Sequence, residues 1–369
     1  MSLAGYELSA EAAERRDAFA GRLFQSLLGA MDLYHIYLGG QLGLYAALQA
    51  GGALTSAELA AATALNERYV REWLEHQAVA GILDVQSVTA SAASRRYTLP
   101  AAHAEALLAR DSLSYSAPIP RAVVSVAKTL PAVAQAFREG SGVPYEAYGA
   151  DMREAIADGN RVFFLNLLGS SWFPAIPDVH ARLQADPPAR VADVGCGTGW
   201  SSIAIARAYP NARVEGFDLD AASIAQAQAN AAAEGVADRV TFSLRDATDP
   251  TPVGVFDLVT AFECVHDMTR PVEALRAMRS LAGASGVVLI VDERVAETFD
   301  APGDSVEHYM YSFSAVHCLP VGMVDQPSAG TGTVMRPETL RRYARDAGFS
   351  AVEILPIEFE IWRFYRLIP

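Results

Sequence analysis

The chain has 369 residues, a formal net charge of −14 and 51% hydrophobic against 20% charged residues. That length suits two domains, and so large an apolar share excludes a disordered chain. The acidic balance argues against sequence-independent nucleic-acid binding, which needs Lys and Arg on phosphates, and against docking on an anionic membrane.

The N-terminus is polar and helical in pattern, without the apolar core of a signal peptide, and no apolar run is long enough to span a bilayer. Cys196, Cys264 and Cys318 form no CxxC pair and are odd in number, which points to a reducing, cytoplasmic setting. Residues 9–50 read as helices, with Phe19, Leu23, Leu27 and Ala30 on one face. Thr55 or Ser56 can cap a short helix, and Asn66 a second that ends at Gly81. Strands at 82–85 and 96–99 follow, giving the winged-helix order. The would-be recognition helix offers Glu67, Glu72 and Glu75 against Arg68 and Arg71, a poor face for DNA. Residues 106–185 read as a mainly helical, Pro-punctuated bridge after a front domain over 1–105.

From 186 to 369 strands and helices alternate, with strands at 190–194, 213–217, 240–244, 256–262 and 287–291. The fold class is α/β, a Rossmann-like doubly wound parallel sheet. Two final apolar segments, 352–357 and 359–365, are expected to pair antiparallel at an edge of that sheet.

The strongest motif runs Asp193-Val194-Gly195-Cys196-Gly197-Thr198-Gly199. A strand enters a glycine-rich turn that opens a helix, so a ligand can approach the backbone. The spacing is GxGxG, not the GxGxxG of a pyrophosphate site, and no Lys-Ser/Thr pair follows to make a P-loop. Asp218, nineteen residues after Gly199, suits two ribose hydroxyls, with Leu219 beside it. Asp246, followed by Ala247, ends the third strand and can accept from an adenine amino group. Together they describe an adenosine without a pyrophosphate, its tail carboxylate facing a helix N-terminus.

These motifs resemble the class I S-adenosylmethionine-dependent methyltransferases. The front half resembles the winged-helix dimerisation domain of small-molecule O-methyltransferases. The resemblance implies S-adenosylmethionine as cofactor, held by Asp193, Gly195, Cys196, Gly197, Gly199, Asp218, Leu219, Asp246, Ala247 and Glu263. It also implies a homodimer and a small-molecule substrate. The fourth strand ends in Glu263-Cys264-Val265-His266-Asp267, and the resemblance makes His266 the candidate base, since an imidazole suits proton removal from a hydroxyl. Asp267 either joins it or, like Thr269, caps the following helix. Glu293 or Glu297 would steady the base. A second resemblance, to bacterial α-keto acid C-methyltransferases, implies a divalent or ferric metal held by His266, Asp267 and His317. Oxygen, carbon and nitrogen acceptors all fit the aromatic and Met-rich stretches nearby, a hydroxyl or carboxyl oxygen being the first expectation, and some relatives with this architecture use the cofactor only as an aid to other chemistry. The Gly- and Pro-rich stretch 320–335 reads as a loop over the site.

Overall fold

The computed structural model describes residues 8–252 and 255–369. The first seven residues of the polar N-terminal stretch lie outside them. The chain divides into two compact units, 1–124 and 125–369. The boundary between the units falls within the stretch 106–185.

In the front unit, helix α1 (Ala10–Gln41) is followed by α2 (Leu44–Gly51), α3 (Ser56–Thr63) and α4 (Glu67–Val79). Thr55 caps α3 in a full capping box with Glu58, and the Asn66 side chain accepts from Arg68 N at 3.0 Å to cap α4. Strands β1 (Asp84–Gln86) and β2 (Arg96–Thr98) then pair antiparallel, and α5 (Ala101–Leu108) follows. Leu44, Leu48, Leu59, Leu74 and Tyr97 form the core of this unit. The apolar face expected on α1 exists but is not buried: Phe19, Leu23 and Leu27 are 51%, 55% and 50% exposed.

Helix α6 (Pro118–Glu139) crosses the unit boundary. The second unit then holds α7 (Gly149–Phe163), a π-helical stretch (Phe164–Trp172) and α8 (Pro177–Gln184). Next come β3 (Arg190–Val194), α9 (Trp200–Ala208), β4 (Arg213–Asp218), α10 (Ala221–Ala233) and β5 (Val240–Leu244). After them run β6 (Leu258–Phe262), α11 (Pro271–Ala282), β7 (Val287–Glu293), α12 (Ser305–Phe313), α13 (Leu319–Gly322), α14 (Pro337–Asp346), β8 (Ala351–Ile354) and β9 (Trp362–Ile368).

The sheet order is β5-β4-β3-β6-β7-β9-β8. Strands β3 to β7 are parallel, and β9 inserts antiparallel between β7 and β8. Alternate residues of the inner strands feed two cores. Val191, Leu258 and Leu289 pack with α9 and the π-helical stretch; Ala192, Val259 and Val288 pack with α11 and α14. Burial on both faces explains why these strands are nearly continuous apolar runs. The order reverses at β3, between β4 and β6, so the carboxyl ends of these strands flank the switch point where ligands bind in such sheets.

Candidate active site

A cavity of about 430 Å3 opens at those strand ends. Its volume lies in the range of small-molecule sites. The glycine loop forms its floor. Gly195, Cys196, Gly197 and Thr198 line it, as do Trp200 and Ser201 of the first turn of α9. Gly199 adopts φ +84°, and a Cβ there would come within 2.5 Å of Phe242. Gly199 therefore shapes the turn rather than lining the cavity.

Asp193 departs from its expected role. It is 1% exposed and does not line the cavity. Ser201 and Ser202 hydroxyls donate to one of its oxygens at 2.6 Å each, and Thr260 to the other at 2.9 Å. Three hydroxyls hold the carboxylate away from the cavity, so it anchors the loop from below.

Asp218 lines the cavity, accepting from Gly197 N at 2.9 Å and Asp220 N at 2.8 Å. Burial raises its pKa. Leu219, Asp246 and Ala247 line the same side. Thr248 N and Oγ1 both donate to Asp246 at 2.8 Å, and Arg270 approaches its other oxygen at 3.3 Å. Carboxylate oxygens carry lone pairs beyond these contacts, so both acids fit an adenosine. The positive end of α9 fits the carboxylate tail of the same molecule. Adenosylmethionine therefore suits the residues present. Three arginines also line the cavity, each beside an acid: Arg153 by Asp220 (3.6 Å), Arg245 by Asp249 (3.2 Å) and Arg270 by Asp246.

The opposite wall comes from the end of β6. Glu263, Cys264, Asp267 and Met268 line the cavity there, together with Tyr145, Ile156 and Asn160 from before the sheet. Sequence reasoning missed these last three, because nothing local marks a bridging helix as cavity wall. Val321, Val324 and Asp325 also reach the cavity, so part of the 320–335 stretch borders the site. Glu263 sits at φ +52°, a conformation costly for a residue with a Cβ. Its N–H donates to Val291 O at 2.7 Å, and its carboxyl accepts from Asn160 and pairs with Glu293. Burial and the neighbouring Glu263 charge push Glu293 well above the ordinary carboxyl range.

His266 is 2% exposed and does not line the cavity. Its Nδ1 lies 2.7 Å from Asp292 Oδ1. Burial opposes the charged ring, but Asp292 outweighs it and holds the His266 pKa well above the usual imidazole value. Asp292, not Glu293 or Glu297, is thus the acid that orients the imidazole. Successive residues of a strand point to opposite faces, so Asp292 and Glu293 meet different partners. Cys318 is itself lowered to about 5: burial opposes this, and His317 and His266 cause it. Asp267 is pushed up to about 7 by burial, against the pull of His266 and His317. Neither Asp267 nor Thr269 caps α11, whose first flanking residue is Arg270; the Thr269 hydroxyl donates to Gly322 O at 3.1 Å.

The expected metal set is not assembled. Among the described residues no group of three or more His, Cys, Asp or Glu side chains is placed to hold a metal ion. His266 Nδ1 is on Asp292, and His317 Nδ1 faces Cys318 Sγ at 3.4 Å, with its ring against Tyr145 and Tyr148.

Residues 185–335 match the family model described as a methyltransferase domain, and residues 30–110 match an Rv2258c-like winged HTH domain. Ajmaline N-methyltransferase of Rauvolfia serpentina is 30% identical over 179 residues, 45% of this chain. The chain spans only 58% of that relative's length. Human N-acetylserotonin methyltransferase, solved with S-adenosylmethionine, shares the fold at TM-score 0.66 and 17% identity, covering 100% of this chain and 99% of its own. An O-methyltransferase from neocarzinostatin biosynthesis was solved with S-adenosylhomocysteine and 1,4-dihydroxy-2-naphthoic acid. It aligns at TM-score 0.58 and 19% identity over 94% of this chain and 98% of its own. Residues 185–335 are therefore a methyltransferase domain, preceded in the same chain by an Rv2258c-like winged HTH domain over 30–110.

Proposed function

We propose that the protein transfers the methyl group of S-adenosylmethionine to an oxygen of a small-molecule acceptor. The observation that carries this reading is the continuous cavity. Its wall runs from Asp218 and Asp246, suited to an adenosine, to Glu263 and Asp267 at the next strand end. The bound cofactor supplies an electrophilic methyl carbon. The chain's own tasks are to align an oxygen with that carbon and to dispose of a proton. Ile156, Phe164, Met268, Val321 and Val324 give the cavity apolar surface with few polar handles, which suits an aromatic or polycyclic skeleton. The naphthoic acid bound by the neocarzinostatin relative supports a hydroxylated aromatic acceptor. An α-keto acid would instead bring a carboxylate to a wall of acids, where the cavity's arginines are already beside acidic partners.

Calorimetry tests the cofactor half: adenosylmethionine and adenosylhomocysteine should bind, and a nicotinamide dinucleotide should not. Transfer of labelled methyl to a panel of phenols tests the rest. A protein that binds the cofactor but labels no phenol would refute the oxygen-acceptor reading.

The exposed apolar side chains of α1 support a homodimer formed through that helix. Contiguous exposed apolar surface of this kind marks an interaction face, and symmetric pairing is its commonest use. Replacing Leu23 and Leu27 with Lys should halve the sedimenting mass; an unchanged mass would refute pairing through α1. No described helix is long and apolar enough to cross a membrane, and the three free cysteines support a reducing compartment.

A further inference from the structure

We propose that the hydroxyl of Tyr145 donates a hydrogen bond to the acceptor oxygen and so sets that oxygen in line with the methyl carbon. This rests on the oxygen-acceptor reading above and names a group that positions the oxygen. Most hydroxyls that line the cavity are already engaged. Ser201 donates to Asp193, Ser223 to Asp220, Thr248 to Asp246 and Thr269 to Gly322 O. Thr198 belongs to the glycine loop on the cofactor side. Tyr145 also lines the cavity, and its hydroxyl has no hydrogen-bond partner among the described residues. Asn160 and the three arginines of the cavity already serve carboxylates. Among the described residues of the acceptor wall, Tyr145 is thus the hydroxyl that a ligand can use without displacing a protein partner.

Its place is the junction of the two halves of the cavity. The charges of Asp218 and Asp220 bear on the hydroxyl from the cofactor side, and that of Asp267 from the acceptor side. The methyl group changes hands between those sides. The turn Tyr145–Tyr148 is also fixed in place. The rings of Tyr145 and Tyr148 both meet the His317 imidazole edge-on, with centroids 6.0 and 4.6 Å away. The Tyr148 hydroxyl donates to Val316 O at 2.7 Å, and Ser125 Oγ donates to Tyr148 O at 2.6 Å. Just before the turn, Val143 N donates to Pro320 O at 2.9 Å, and a Cβ on Gly142 would overlap Val324 N. A side chain supported on so many sides holds its hydroxyl in one place, as alignment of two reacting atoms requires. A phenol hydroxyl is protonated at neutral pH, so Tyr145 remains a donor throughout the reaction. Donation to one lone pair of the acceptor oxygen leaves another to face the methyl carbon. It also favours loss of the acceptor's proton, because a hydrogen bond to the anion is stronger than one to the neutral hydroxyl. Tyr145 itself neither gains nor loses a proton.

The test reads the acceptor's proton directly. The anion of 4-nitrophenol absorbs in the visible, so its titration can be followed when it is bound to the complex with adenosylhomocysteine. Tyr145→Phe keeps the ring and removes only the hydroxyl. It should keep the wild-type affinity for adenosylhomocysteine in calorimetry. It should raise the pKa of bound 4-nitrophenol by about one pH unit, the worth of one charge-assisted hydrogen bond. Label transfer to 1-naphthol should fall by about 10- to 100-fold, as for a misplaced nucleophile. Tyr148→Phe, which frees the turn from Val316 but leaves the Tyr145 hydroxyl, should keep the wild-type pKa of bound 4-nitrophenol. An unchanged pKa in Tyr145→Phe, or an equal shift in Tyr148→Phe, would overturn the assignment. A loss of adenosylhomocysteine affinity in Tyr145→Phe would overturn it too, by placing the hydroxyl on the cofactor. A wild type that binds adenosylhomocysteine but labels neither phenol would overturn the oxygen-acceptor reading, and this assignment with it.

Discussion

The two walls of the cavity are built on different principles. On the cofactor side, each acid is met first by backbone and hydroxyl groups of its own turn, Asp246 by Thr248 and Asp218 by Asp220, with Arg270 and Gly197 reaching them from other strand ends. On the acceptor side, partners come from distant parts of the chain. Asn160 meets Glu263, Asp292 meets His266, and Cys318 joins the same cluster. The first wall is a set of strand-end turns that any such sheet can present. The second is backed by a buried network of charges with large penalties for an unpaired member.

Perturbing each wall separately sharpens that contrast. The largest effect is expected at Asp292→Asn, which breaks a buried charge pair and should cost about 3–5 kcal/mol in urea denaturation. Because Asp292 raises the folded pKa of His266 above the ordinary imidazole value of 6.5, the pair's contribution is complete below that value. It is lost as pH rises through the folded pKa, because the unfolded state then binds fewer protons than the folded one. The variant should lack this alkaline loss. A variant as stable as the wild type, with the same pH profile, would show that the acceptor wall is not the costlier of the two.

Next in size is Asp218→Ala. Removing a charge-assisted contact to the ribose should weaken cofactor binding by about 1.5–3 kcal/mol in calorimetry, with little change in stability. Intact binding would remove Asp218 from the cradle. Gly199→Ala should then cost about 1–2 kcal/mol of stability from the left-handed backbone alone, with the Phe242 contact adding to it. Thermal unfolding would report it, and a neutral outcome would mean that the loop relaxes freely.

The smallest effect is expected far from both walls, at Asp178→Asn. Arg366 of β9 holds this carboxylate of α8 at 2.6 Å, and the Asp178 side chain is about half exposed. Screening should limit the loss to at most about 1 kcal/mol. Arg366 lowers the Asp178 pKa from 3.8, so the contribution is present above that value and fades as pH falls through the folded pKa. Denaturation curves for variant and wild type should converge in acid.

Two elements show where sequence reading reaches and where it stops. The strand at 190–194 and the glycine turn after it were legible because apolar periodicity and turn chemistry are local. The closing hairpin was legible as a pair of strands, but its second member begins three residues later than expected, at Trp362. Both 359–361 and 362–365 carry large apolar side chains around one charged residue; the choice between them was made by register against β7. Asp193 was mistaken for a cofactor contact because a carboxylate beside a glycine loop looks the same in sequence whether it points into the cavity or beneath it.

The amino-acid order by itself determined the alternating sheet, the glycine loop and the acids at its successive strand ends, because each depends on residues a few positions apart. Only the folded chain decided that Asp292 rather than Glu293 holds His266, that Asn160 comes to Glu263 and that Asp267 rather than His266 faces the cavity. Those outcomes depend on which face of a strand or turn meets which distant element, and burial then turns that meeting into a shifted pKa.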